Sequence, residues 1–420
     1  MPSNLKIRLS HTFRSLRQRN YLIWAIGALV SNIGTWMQRI AQDWLVLTNL
    51  TNHSGATVGI VMALQFGPPI LLIPWSGWVA DHFDRRKVLL LTQSAMGLTA
   101  LGLGLLVTSG AVRLWHVYLF AALTGCATAF DSPVRQTFVA ELVGDDDLPN
   151  AVALNATLFH GARLVGPAVA GVLINVIGTG WVFIINALSF VAVIFALMNL
   201  RLGDLHPARK GRAAADGINN GLSYVRHRPD LMIALLMLFI VGTYGLNFPI
   251  FISTMSVSSF GGGAHLYGSL SSAMAIGSVS GALLVAGRRK PGIQVLTLSA
   301  LAFGLIGTLA AVMPNVLTFG LILVVLGITA QIFTTSTNSL VQLSTAPEMR
   351  GRVMAIYMGV FLGCTPLGAP LIGWIADHFG PRPAMMVGAA SGFVAAVVGM
   401  VFLHVRKQSK KPGAARISDH

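Results

Sequence analysis

The stretch Gly77-Trp78-Val79-Ala80-Asp81-His82-Phe83-Asp84-Arg85-Arg86-Lys87 lies between two apolar segments, and part of it recurs. About 203 residues further on, another apolar segment ends on a basic triplet, Arg288-Arg289-Lys290. A charged turn echoed at half the chain length predicts two copies of one membrane bundle. That architecture moves something across a bilayer, and the loop alone does not name the cargo.

Composition agrees with this reading. The 420 residues are 54% hydrophobic and only 10% charged, with a mean hydropathy of +0.70. Soluble domains carry about 25% charged residues, so the chain belongs with polytopic membrane proteins. Its 45 glycines suit close helix packing in lipid. The net charge of +15 sits in short connectors and forms no basic face, which argues against a nucleic-acid partner. Cys126 and Cys364 fall inside apolar segments without metal-ligand spacing and read as free thiols. The basic N-terminus runs into an apolar stretch too long for a cleaved signal, so it reads as a retained first span.

A bilayer core takes about 20 apolar residues to cross. Twelve segments meet that length, at roughly 21–47, 56–80, 88–109, 115–140, 150–176, 181–200, 230–257, 266–287, 292–313, 316–342, 352–376 and 384–404. The predicted fold is an all-α membrane protein of two six-helix bundles, 21–200 and 230–404. A polar linker, 201–229, joins them, and basic tails flank them at 1–20 and 405–420. With the N-terminus inside, cytoplasmic tails and loops collect 24 of the 29 basic residues. Both termini are then expected in the cytoplasm. Corresponding midpoints differ by about 200–209 residues, and Gly166-Pro167-Ala168-Val169-Ala170-Gly171 is matched by Gly368-Ala369-Pro370-Leu371-Ile372-Gly373. This is a same-orientation repeat of the kind found in one transporter class.

The Gly77–Lys87 loop resembles the signature between the second and third helices of the major facilitator superfamily, roughly Gly-x-x-x-Asp-Arg-x-Gly-Arg-Arg-Lys. Asp81, Arg85, Arg86 and Lys87 match it; His82 and Asp84 depart from it. The flanking stretches from Gly34 to Leu47 and from Gln65 to Pro68 are similar to the branch containing the enterobactin exporter and related transmembrane secretion effectors. The resemblance implies that Gly77, Asp81, Arg85 and Arg86 form a conformational latch on the cytoplasmic side, against the start of the eleventh helix near Gly351. The bland alternative is that the basic residues only set topology. The near-copy Gly373-Trp374-Ile375-Ala376-Asp377-His378-Phe379 follows the eleventh segment, on the opposite side, and is not assigned the same role.

Charges inside spans are costly and mark candidate sites. Arg39 and Asp43 are four apart in the first segment and able to pair. Asp131 and Arg135 repeat that spacing in the fourth, where Asp131 either receives Arg85 or Arg86 or takes part in transport. Arg163 sits near the centre of the fifth segment with no acid within a turn, and therefore needs an acid from another helix, a carbonyl or an anionic ligand. His160 lies one turn before it. Each has a structural alternative as a satisfied buried group. If protons drive transport, Asp43 is the better-placed carboxylate, since Asp131 is near the surface. Gly161, Gly166, Pro167 and Gly171 resemble the antiporter motif of the superfamily, which implies a close-packed helix and export. Aromatic and thioether side chains such as Trp36, Phe66 and Met358 either line a cavity or pack against lipid and core.

The expected activity is secondary active export of a small amphipathic molecule, drug-like or siderophore, driven by protons. The alternative is a proton-coupled uptake symporter for a small metabolite. The chain carries no phosphate-binding loop and no catalytic or metal constellation, so neither an enzyme nor a cofactor is expected. The expected partners are the substrate, protons and the bilayer, with the protein as a monomer.

Overall fold

Inside a bilayer no water reaches the backbone, so each crossing segment must satisfy its own amides and carbonyls as a helix. The computed structural model describes residues 14–206, 218–286, 291–346 and 348–409, and every regular element among them is helical. In chain order these are α1 (Arg19–Trp44), α2 (Gly55–Leu71), α3 (Ile73–His82), α4 (Arg85–Thr108), α5 (Leu114–Gly144), α6 (Asp146–Ile177) and α7 (Thr179–Met198). They continue with α8 (Ile218–Arg226), α9 (Pro229–Ser259), α10 (Ala264–Ala286), α11 (Ile293–Val312), α12 (Val316–Ser344), α13 (Arg350–Phe379) and α14 (Pro381–Ser409). The helix α9 is interrupted at Leu246 and Asn247. The triplet Arg288-Arg289-Lys290, the middle of the linker (207–217) and the ends of both tails lie outside the described residues.

Among the described residues, ten helices are long and apolar enough to cross a membrane, or eleven when α2 and α3 count as one bent span. The sequence predicts twelve, and the difference has two sources. The second segment is broken: it turns by 59° between Gly55–Leu71 and Trp75–His82, after Pro68 and Pro69 have removed two amide donors. Gly125 of α5 lies against the bend. A Cβ there would meet the carbonyls of Gln65 and Leu64 at 2.7 and 3.0 Å, the two acceptors that the prolines leave without their helical partners. The remaining segment, α1, is a continuous helix of 26 residues, but Asn20, Asn32, Gln38, Arg39, Gln42 and Asp43 make it more polar than the rest.

The helices pack in two groups. The helices α1 to α7 contact one another chiefly through α1–α6, α1–α7 and α4–α7, and α10 to α14 through α10–α12, α11–α12 and α11–α14. Two helix pairs carry most of the contact between the groups, α2–α13 and α6–α10. Both are seams of small residues in which backbones touch: a Cβ on Gly373 would lie 2.2 Å from the Gly55 carbonyl, one on Gly59 2.3 Å from that of Ala369, and one on Gly268 2.4 Å from that of Pro167. All these contacts lie toward one end, where Thr51–Ser54 links α1 to α2. We call this the far end, and the end holding the Gly77–Lys87 loop the basic end.

The apolar core follows the same division. One buried cluster runs through both groups and includes Leu45, Val58, Ile174, Tyr267 and Ile372. A second, containing Tyr21, Trp24, Phe138, Leu142 and Leu197, is built solely from the first group near the basic end. The groups are thus welded at the far end and separate at the basic end.

Glycines at packed and open positions should respond differently to substitution. A Cβ on Gly277 would sit 1.9 Å from the Val324 carbonyl, whereas Gly77 has nothing within 4 Å. Gly277→Ala is expected to cost about 1–3 kcal/mol through overpacking, and Gly77→Ala less than about 0.5 kcal/mol. Thermal unfolding of the purified proteins in detergent checks the ordering.

Candidate functional site

Between the groups lies a cavity of about 450 Å³, which extends from Thr35 and Phe66 toward Gly77 and Gln136 at the basic end. Its wall is mostly apolar, with Phe66, Met96 and Phe190 from the first group and Met358 and Leu362 from α13. Gln38, Gln65, Asn186 and several hydroxyls supply polarity, and among the described residues Arg39 is the one charged side chain in the lining. The size and the mixture of apolar surface with few polar groups suit a small organic molecule. Gly77, Gly351 and Gly359, at the basic end, have no neighbour within 4 Å of a would-be Cβ.

Beside the cavity, Trp36 gathers two cations. The guanidinium carbon of Arg39 lies 4.5 Å from its ring centre and that of Arg163 lies 5.5 Å away, with Phe66 a further 5.4 Å from Arg39. The helices bring these residues together because Gly166 of α6 packs directly on α1: a Cβ there would fall 2.5 Å from that of Trp36. Gly171 makes the matching approach to α10, at 2.9 Å from the Ala264 carbonyl. Pro167 is buried with them, whereas Gly161 faces open space. Neither Arg39 nor Arg163 forms an ion pair among the described residues, and the Arg39 Nε is buried without a hydrogen-bond partner. His160 is drawn in as well; its Nδ1 is buried and unpartnered, and its ring stands against Phe159.

The expected Arg39–Asp43 pair does not form. Asp43, 7% exposed, instead accepts a 2.7 Å hydrogen bond from the Tyr267 hydroxyl of α10. The carboxylate on the first helix is therefore held by the other helix group. No motif around Tyr267 marks it, and a lone tyrosine in an apolar segment reads as packing. Asp131 also departs from one of its two expected roles. It is bound to Arg135 at 2.6 Å and accepts from Thr92 and Gln93 at 2.9 and 2.6 Å, and receives neither Arg85 nor Arg86.

At the far end the seam is held by an anion. Asp377, at the C-terminal end of α13, accepts from the Gly55 and Ala56 amides at 2.5 and 3.0 Å and from the Ser54 hydroxyl at 2.8 Å. These are free donors at the start of α2, where the helix dipole also favours negative charge. A second bond, from Ser272 to the Leu164 carbonyl at 3.0 Å, crosses α6–α10. The repeated letters Gly373–Phe379 were visible in the sequence; their partner, 322 residues away, was not.

At the basic end the loop is organised within the first group. Asp81 is exposed. Asp84, where the signature has glycine, caps α4 by accepting from the Lys87 amide at 3.0 Å. Arg85 pairs with Glu141 at 2.7 Å, and Arg86 donates to the carbonyls of Leu197 and Met198, at the C-terminus of α7. Glu141 escaped the sequence reading because α5 continues to Gly144, four residues beyond the expected end.

This arrangement of helices matches known proteins. Residues 10–417 match the family described as transmembrane secretion effector. The chain belongs to that family. Relatives of this secretion effector include the staphyloferrin A transporter of Staphylococcus aureus, 26% identical over 90% of this chain and 94% of the relative. Another is the multidrug efflux pump Tap of Mycolicibacterium fortuitum, 25% identical over 89% and 95%. Among solved structures, a bacterial homologue of the lysosomal transporter Spinster in an inward-facing, unoccupied conformation superposes with a TM-score of 0.71 at 16% identity, covering 95% of this chain and 99% of that one. The fold is that of the major facilitator transporters, and the secretion effector is a multi-pass membrane transporter, not an enzyme.

The Asp377 contact makes a measurable claim on conformation. A carboxylate bonded to helix amides contributes about 1.5–3 kcal/mol, reduced toward roughly 1–2 kcal/mol by its exposure to water. Asp377→Ala should therefore shift the balance between closed and open far ends by about tenfold. Spin-label distances between the Thr51–Ser54 turn and the Phe379–Pro381 turn would lengthen in the variant; an unchanged distribution would exclude a gating role for Asp377.

Proposed function

We propose that the protein is a proton-driven exporter of a small amphipathic molecule in a bacterial cytoplasmic membrane. It works by alternating access, with twelve spans in two six-helix halves and both termini cytoplasmic. The observation that carries this reading is the cavity between two helix groups that are fused at the far end and parted at the basic end. Under the positive-inside rule the basic end is cytoplasmic, so the cavity faces the compartment from which an exporter loads. Relatives named for staphyloferrin A transport and multidrug efflux support a small-molecule cargo. The repeat spacing and the 26-residue length of α1 support counting α1 as a span.

In the opposite state the far-end seam opens and the basic end closes. Asp81 then leaves water for the start of α13 near Gly351, with Gly77 allowing the approach and Arg85 and Arg86 bracing the loop. The bonds of Asp131 to Arg135, Thr92 and Gln93 favour a structural role for it and leave Asp43 as the coupling carboxylate. Its position suits coupling: the bond from Tyr267 joins the halves, and a proton on Asp43 removes the charge that strengthens that bond. Arg39 lies one turn before it on α1 and stands on Trp36 with Arg163, where cargo and proton can act on one another.

The test is transport into inverted vesicles under an imposed pH gradient, with a panel of dyes, antibiotics and catecholate siderophores. Gradient-driven accumulation of at least one compound is expected, and Asp43→Asn should reduce it tenfold or more while leaving energy-independent exchange of that compound. Accumulation only with the gradient reversed would establish uptake symport instead, and full coupling in Asp43→Asn would remove Asp43 from the mechanism.

A further inference from the structure

The cavity and its surroundings carry an imbalance of charge. Among the described residues, Arg39 is the only charged side chain in the lining, and no carboxylate lines the cavity. Arg163 stands on the same tryptophan, again with no acid partner among the described residues. The one nearby carboxylate, Asp43, is engaged by Tyr267. Two guanidiniums against one carboxylate leave a surplus positive charge where solvation is poor, and such a charge is costly unless something answers it.

The rings answer only part of it. A cation over an aromatic face contributes about 0.5–2 kcal/mol, and stacking leaves the edge of a guanidinium, with its N–H donors, unused. The buried, unbonded Nε of Arg39 is such a donor. Guanidinium edges match carboxylates with two parallel hydrogen bonds, whereas their faces pack on planar groups. Around them the wall offers Phe66, Met96, Phe190 and Met358, and these suit a flat apolar body better than a sugar or a peptide.

We propose that Arg39 and Arg163, set against Trp36, form a binding site for the anionic group of a planar organic acid, a carboxylate on an aromatic or conjugated body. The inference rests on the exporter reading and narrows it to one chemical class. Arg39 reaches the ligand from the cavity wall and makes the bidentate contact. Arg163, 5.5 Å from the same ring centre, adds long-range attraction and holds the ring in place. A cationic drug of the same shape would meet that surplus positive charge, so the site selects against it.

A pair of dyes on one three-ring scaffold tests this directly: fluorescein, an anion bearing a carboxylate, and rhodamine 123, a cation whose carboxyl is esterified. Binding to the purified full-length protein is read by fluorescence anisotropy. Fluorescein is expected to bind at least tenfold more tightly than rhodamine 123. Arg39→Ala and Arg163→Ala should each raise the fluorescein Kd about tenfold and leave that of rhodamine 123 unchanged or lower, and Arg39→Lys should recover part of the loss. Equal or inverted preference in the unmodified protein overturns the proposal, whether or not the variants fold. So does an unchanged fluorescein Kd in both alanine variants. Dye flux in inverted vesicles is scored separately. Selective fluorescein binding without flux would count against export and leave the anion site standing, whereas flux of both dyes at equal affinity would do the reverse.

Discussion

A carboxylate at the end of one helix grips the bare amides at the start of another, and the shape of the whole molecule depends on that grip. Asp377 on Ser54, Gly55 and Ala56 fixes the far end of α2 against α13, where glycines let the two backbones touch. The residues Gly77-Trp78-Val79-Ala80-Asp81-His82-Phe83 stand at the end of α3 as Gly373-Trp374-Ile375-Ala376-Asp377-His378-Phe379 stand at the end of α13. Each helix of the crossed pair thus carries an anion at its finish and free donors at its start. One such contact is made and the other, from Asp81, is open to water. Under the proposed alternating access, with the Gly59–Ala369 contact as pivot, one end would come together as the other parts, and the two aspartates would act on opposite states.

The interior shows a different economy of charge. An arginine and an aspartate four residues apart on one helix would ordinarily neutralise each other. Here Tyr267 takes Asp43 and Trp36 takes Arg39, so the charges remain separated and each stays available. Asp131 shows the contrast: bonded to Arg135, Thr92 and Gln93 at once, it has little left to offer a ligand or a proton. Proximity in sequence was equal in the two pairs, and the neighbours decided their fates.

Much of the fold was legible because hydropathy is a one-dimensional signal. The segments expected near 88–109, 316–342 and 384–404 correspond to Arg85–Thr108, Val316–Ser344 and Pro381–Ser409, each helix running past its apolar core into polar caps. That habit hid Glu141, which lies beyond the apolar stretch yet within the helix. The glycine and proline positions of the fifth segment were readable as packing sites, and Gly166 and Gly171 serve so. Partners across the molecule were not readable. Nothing local links Asp377 to Gly55 or Tyr267 to Asp43, because those contacts depend on how the helix groups are set against each other, and the Trp36–Arg163 contact depends on how α6 packs on α1.

The paired prolines of the second span have a mechanical consequence. A helix bends most easily where its longitudinal bonds are missing, and Pro68 and Pro69 delete two of them side by side. Gly125 then fits against the vacated carbonyls without a side chain to brace them. The span behaves as two stiff rods on a soft joint. The rod bearing Gly77 and Asp81 is free to swing while the rod bearing Gly55 stays bolted, so the basic end could begin to close before the far end yields. Under the proposed alternating access, such a joint would let the carrier pass through a state sealed at both ends, holding cargo without a leak.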